Sequence, residues 1–203
     1  MESINGLIQR VQKTERGFKD IQKEAENVAG NNSVKECISI SDRLFSSGVP
    51  QARMLATFIF GIVASRSKNA LNFLKKNVSK DENWRVQEIL AKSFDRYCSD
   101  IGYEKALPVI EEWLKDGNPN VRRAVTEGLR IWTGREYFKD NPEIAVRLLS
   151  RLKDDESGYV RKSVGKALRD ISKKHKELIK SELETWNLSN KRIEQTYKLA
   201  GKP

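Results

Sequence analysis

Asn83-Trp84-Arg85-Val86-Gln87-Glu88, Val121-Arg122-Arg123-Ala124-Val125-Thr126-Glu127-Gly128 and Val160-Arg161-Lys162-Ser163-Val164-Gly165-Lys166-Ala167-Leu168-Arg169-Asp170 begin three copies of one pattern. Val86, Leu90 and Phe94 of the first copy align without gaps on Val121, Val125 and Leu129 of the second. They align equally on Val160, Val164 and Leu168 of the third. Apolar residues at i, i+4 and i+8 make one stripe of an α-helix, which needs other helices to cover it. The copies recur after 35 and 39 residues, enough for two helices and their turns.

This period predicts an all-α chain, a right-handed HEAT-like α-solenoid of stacked antiparallel helix pairs with a basic concave groove. Ala52, Ala56 and Phe60 stand 34 residues before the first stripe and mark an earlier, divergent repeat. At ~100° per residue, positions two beyond each stripe residue point away from the core. They hold Glu88, Arg123 and Lys162, and one turn later Lys92, Glu127 and Lys166. Because the second helix of each pair lines the concave side of a solenoid, these residues are expected as rungs across it.

Outside these copies the chain keeps helical spacing. Ile4, Leu7, Ile8, Val11, Phe18, Ile21, Ala25 and Val28 predict one or two amphipathic helices, with Gly17 weakening the middle. A helix is expected at Glu36 to Phe45, and a helix apolar on several sides, hence buried between neighbours, at Gln51 to Ser65. Asn69 to Val78 is its partner helix, and Tyr103 to Leu114 and Ile144 to Leu152 are the partner helices of the later repeats. Asn118-Pro119 and Asn141-Pro142-Glu143 each offer a capping side chain followed by proline at the first helical position. The pattern runs on through Leu178, Ile179 and Leu183 to Trp186, and a basic helix around Lys191 to Leu199 closes the array. One domain is expected over residues 1–203, with capping helices at 1–45, repeats at 50–187 and a C-terminal helix at 188–203.

The chain has 203 residues, 33% of them charged, and a net charge of +10. Residues 1–80 carry 13 Lys and Arg against 7 acids, residues 81–155 carry 13 against 15, and residues 156–203 carry 12 against 6. Solubility does not require a positive sign, so both ends are suited to grip a polyanion, with the carboxylates between them. Nucleic acid is the leading partner; an acidic protein or a membrane surface is the alternative. Cys37 and Cys98 lie in no CxxC, and His175 follows two lysines in a charged stretch, so no metal site or disulfide framework is expected. No apolar run approaches the ~20 residues of a membrane span, and Gln9, Arg10, Gln12 and Lys13 interrupt any signal-peptide core. A cytoplasmic monomer without cofactors is expected.

Trp84 and Glu88 are four apart on one helix, and Arg123 and Glu127 repeat that spacing one rung later. Trp132 follows Glu127 by five, and Asp170 follows Lys166 by four. Taken singly, each has a structural reading: Trp132 as core, Glu127 as an ion-pair partner of Arg123, Asp170 as a bridge between repeats. The three quoted strings nevertheless resemble the bacterial AlkC/AlkD-like alkylpurine DNA glycosylases over roughly residues 50–200, with Val121 to Gly128 most similar to AlkC.

The resemblance implies a HEAT-like solenoid that holds duplex DNA and excises cationic N-alkylated purines such as 3-methyladenine or 7-methylguanine. It implies Glu88 as the catalytic carboxylate and Trp84 as the aromatic one turn before it. Glu127 and Asp170 match further acidic positions of the active site. Arg123 matches a DNA contact near the lesion and Trp132 is a looser match; beside what the resemblance implies, Arg85, Lys162 and Lys166 are expected as further DNA-binding cations. The alternative is a non-catalytic HEAT-repeat module that binds DNA or serves as a protein adaptor.

Overall fold

The computed structural model describes residues 3–201. Thirteen α-helices and three short 3-10 turns account for the regular structure of these residues, which contain no strand. The described residues fall into two compact units, divided between Asp100 and Ile101.

The first unit contains α1 (Ile4–Val11), α2 (Lys19–Gly30), α3 (Val34–Phe45), α4 (Pro50–Val63), α5 (Lys68–Lys76) and α6 (Trp84–Ile101), whose last residue crosses the division. The N-terminal pattern resolves into two helices, broken at Gln12 to Phe18, where Gly17 adopts a φ of 73° that only glycine reaches without strain. Ser33 and Glu36 form a reciprocal capping box at the start of α3. Helix α4 is buried nearly all round because α1, α2, α3 and α5 all pack against it. Met54 and Phe58, which hold its off-stripe positions, are covered in this way.

The second unit contains α7 (Tyr103–Leu114), α8 (Pro119–Gly128), α9 (Glu136–Asp140), α10 (Pro142–Ser150), α11 (Gly158–Ser172), α12 (Lys176–Glu184) and α13 (Lys191–Ala200). Helix α8 packs on α7 and α11, and α11 packs on α10, α12 and α13. Gly165 makes the last contact possible: a Cβ there would lie 2.5 Å from Leu199 Cβ and 3.0 Å from the Thr196 carbonyl oxygen. The three aligned stripes are buried throughout, from Val86, Leu90 and Phe94 to Val160, Val164 and Leu168, and so are Ala52, Ala56 and Phe60.

A second repeating device fastens the start of each stripe helix. Its fourth residue donates to the carbonyl six residues earlier: Arg53 to Ser47, Gln87 to Asp81, Arg122 to Asp116 and Arg161 to Asp155. Two of the arginines continue into the turn before the next repeat. Arg53 forks onto Asp81 at 2.6 and 3.2 Å, and Arg122 onto Asp155 at 2.6 and 2.8 Å. Arg161 reaches Gln195 instead.

One expected cap is corrected. Asn118 does cap α8, accepting from the Asn120 N–H. Asn141 does not cap α10; its amide donates to the Tyr137 carbonyl and closes α9, a five-residue helix too short to leave a period in the sequence.

Candidate functional site

In the first unit, Asp81 accepts from the Asn83 N–H and Asn83 accepts from the Arg85 N–H, which fixes the start of α6. Trp84, the first residue of that helix, is 68% exposed. Glu88 follows one turn later, also exposed, and its carboxylate makes no hydrogen bond or ion pair among the described residues. Two cations flank it on the helix, and both touch the turn between α1 and α2. Arg85 Nη2 donates to the Gly17 carbonyl at 2.9 Å, and Lys92 Nζ lies 4.3 Å from the centre of the Phe18 ring. Phe18 rests on Phe58, and Gln51 holds the same turn through the Thr14 carbonyl. The Gln12 to Phe18 turn therefore runs alongside the Trp84–Glu88 pair, a neighbour that local spacing could not announce.

In the second unit, Arg123 and Glu127 lie half-exposed on α8, with Lys162 exposed and Lys166 half-exposed on α11. The ion pair between Arg123 and Glu127 that their spacing allows is not made; neither side chain, nor Lys162 or Lys166, has a polar partner among the described residues. Their charges face solvent and are available to a ligand.

Two residues expected in the site are otherwise engaged. Trp132 is fully buried, edge-on to Phe138 at 5.0 Å, so its ring packs the core and cannot stack on a nucleotide in this arrangement. Asp170 is held between Arg130 Nε at 3.2 Å and Lys173 Nζ at 2.7 Å. Burial pushes its carboxyl upward, but the hydrogen bonds and charges of Lys173 and Arg130 outweigh it and hold the group below the ordinary aspartate value. It is an ionised bridge between the end of α8 and the end of α11, poorly placed to take a proton. The sequence signal for this pairing was Arg130 itself, 40 residues before Asp170, close to the period of the repeats.

No group of three or more His, Cys, Asp or Glu among the described residues could hold a metal ion. Cys37 and Cys98 are buried and are not joined in a disulfide, and burial raises the Cys37 thiol above its usual range. Among the described residues no helix is long and apolar enough to cross a membrane.

A family model described as DNA alkylation repair enzyme matches residues 10–197. The crystal structure of AlkD2 from Streptococcus mutans is 50% identical, with 98% of each chain covered and a TM-score of 0.94. The structure of Pseudomonas fluorescens alkylpurine DNA glycosylase AlkC, bound to DNA containing an abasic site analog, is 25% identical with a TM-score of 0.53. That match covers 97% of this chain and 60% of AlkC. The uncharacterized protein YhaZ of Bacillus subtilis is 37% identical over 117 residues; the match takes in 51% of this chain and a third of that curated relative's length.

Proposed function

The chain belongs to the DNA alkylation repair enzyme family, and from that premise we propose that it is a monofunctional DNA glycosylase. Its substrate would be a cationic N-alkylated purine, of the 3-methyladenine or 7-methylguanine type, in duplex DNA. The observation that carries this reading is the exposed Trp84 and unpartnered, exposed Glu88 one turn apart at the start of α6.

The chemistry suits these groups. An N3- or N7-alkylated purine leaves as a neutral base from a cationic nucleotide, so its departure needs no general acid. Positive charge develops on the deoxyribose instead. A carboxylate such as Glu88 stabilises that oxocarbenium charge and orients or deprotonates the attacking water. The indole of Trp84 stacks on the sugar or the cationic base. Arg123, Lys162 and Lys166 neutralise phosphates from their own unit. AlkC, whose structure is that of a glycosylase with DNA bound, supports assigning this reaction class to the present chain.

A second reading, a DNA-binding module without catalysis, is favoured by Asp170 and Trp132, which serve as ion bridge and core. The deciding experiment is to incubate purified protein with methylated duplex DNA and identify released bases. Release of 3-methyladenine or 7-methylguanine above the spontaneous rate is expected. Tight duplex binding with no release of any N-alkylated purine would establish the second reading.

A further inference from the structure

Three large apolar side chains of the second unit, Tyr159, Ile131 and Leu188, are exposed among the described residues, and the two most exposed have no place in the scheme above. Tyr159, the second residue of α11, is 76% exposed, and Ile131, three residues beyond α8, is 60% exposed. A single exposed apolar residue is ordinary on a protein surface and calls for no explanation. These two differ in what lies between them and in how firmly they are held.

At ~100° per residue, Tyr159, Lys162, Lys166 and Asp170 fall within an arc of roughly 80° on α11. This is the side of the helix opposite Val160, Val164 and Leu168, all of which are fully buried. Helix α8 packs beside α11 and carries Arg123 and Glu127, and the two helices are joined at one end by the Arg130–Asp170 pair. Lys173 adds a second cation on Asp170. On these two helices and the turns after them, Lys162 and Lys173 are exposed and Arg123, Arg130 and Lys166 half-exposed, against a half-exposed Glu127 and an Asp170 whose carboxylate is only 11% exposed.

Ile131 is not a loose loop residue. Its neighbours Leu129 and Trp132 are fully buried, Arg130 is tied to Asp170, and Arg135 donates to the Gly128 carbonyl just upstream. The backbone that presents it is fixed from both sides, so contact with a partner would cost little ordering entropy. Tyr159 likewise sits on the first turn of a fifteen-residue helix.

We propose that Tyr159 and Ile131 are the non-ionic DNA contacts of this surface, each packing on a deoxyribose at one end of a stretch of backbone whose phosphates meet the cations between them. The proposal rests on the duplex-binding reading above and extends it to residues that carry no charge. The eleven helical steps from Tyr159 to Asp170 rise by about 16 Å, which matches roughly five nucleotides of one strand at 3.4 Å each. Tyrosine suits the role because its ring packs on a sugar while its hydroxyl donates to a phosphate.

The test is fluorescence anisotropy with a labelled duplex over a series of salt concentrations, on the full chain. Tyr159→Ala and Ile131→Ser should each weaken binding about 5- to 10-fold while leaving the slope of log affinity against log salt unchanged. Lys162→Ala should weaken it and also lower that slope by about 0.9. Tyr159→Phe should bind within about 2-fold of wild type if the ring carries the contact. Thermal melts of all four variants should match wild type, since the side chains replaced are exposed. Wild-type affinity in both Tyr159→Ala and Ile131→Ser overturns the proposal while leaving duplex binding intact. An equal loss of affinity for polyglutamate, which has no sugar, also overturns it. A wild-type chain that does not bind duplex DNA at low salt removes the binding reading itself, and the proposal with it.

Discussion

Asp155 accepts both Nε and Nη2 of Arg122, at 2.6 and 2.8 Å, while its Oδ1 also accepts the Ser157 N–H. The carboxylate is only 4% exposed and fixes the turn before α11 to the first turn of α8. Its hydrogen bond is the foremost cause that raises the Arg122 guanidinium above its ordinary value. Asp155→Asn keeps the shape and the Ser157 bond but leaves a largely buried guanidinium without its counter-charge. It should cost about 3 kcal/mol in denaturant unfolding. Asp155→Asn combined with Arg122→Met should lose less than the sum of the single changes. An Asp155→Asn variant as stable as wild type would mean the fork contributes nothing.

Asp170 supplies a pH-dependent part of that stability. Its folded value lies below the ordinary 3.8, so the favourable contribution is fully present above that value and is lost as pH falls through the folded one. Melting temperature measured from pH 6 down to pH 2.5 should therefore fall less steeply in Asp170→Asn than in wild type, with the two curves converging at the acid end. Parallel curves would show that the bridge to Arg130 and Lys173 is not maintained in solution.

Gly165 tests the packing of α11 on α13. Replacing a helical glycine with alanine ordinarily favours the helix by about 1 kcal/mol. Here the added Cβ meets Leu199 Cβ and the Thr196 carbonyl oxygen, and a backbone atom cannot swing aside. Gly165→Ala should consequently lower the midpoint of chemical denaturation, with a net loss of about 1–3 kcal/mol. A gain in stability would show that α13 does not lie this close.

The repeats were legible because burial is periodic. Val121, Val125 and Leu129 announce their stripe through local spacing alone, and all three are buried as that spacing requires. The charges opposite the stripe were legible for the same reason, since solvent exposure of Glu88 and Lys162 follows from the helix phase. What stayed hidden depends on partners distant in the chain or on elements too short to show a period. Trp132 is buried by Phe138 of α9, Asn141 closes that same helix, and Asp170 is occupied by Arg130 from the end of α8. The Gln12 to Phe18 turn reaches Arg85 and Lys92 across about 70 residues of sequence, beyond any motif.

Glu88 separates the enzyme from the binding module through the sign of two effects. An exposed carboxylate near phosphate repels it, so Glu88→Gln should raise duplex affinity slightly under either reading. Only in an enzyme does the same change also remove the charge that opposes the developing oxocarbenium, lowering alkylbase release by about 10²-fold or more. Glutamine keeps the side chain's size, and the native carboxylate has no hydrogen-bond partner among the described residues to lose. Folding should be untouched. Duplex affinity and release of 3-methyladenine and 7-methylguanine are therefore measured side by side for wild type and variant. Undiminished release by Glu88→Gln would exclude this carboxylate. Glu127 would then be the remaining candidate, because it is half-exposed and unpartnered on α8 whereas Asp170 is already bound by two cations.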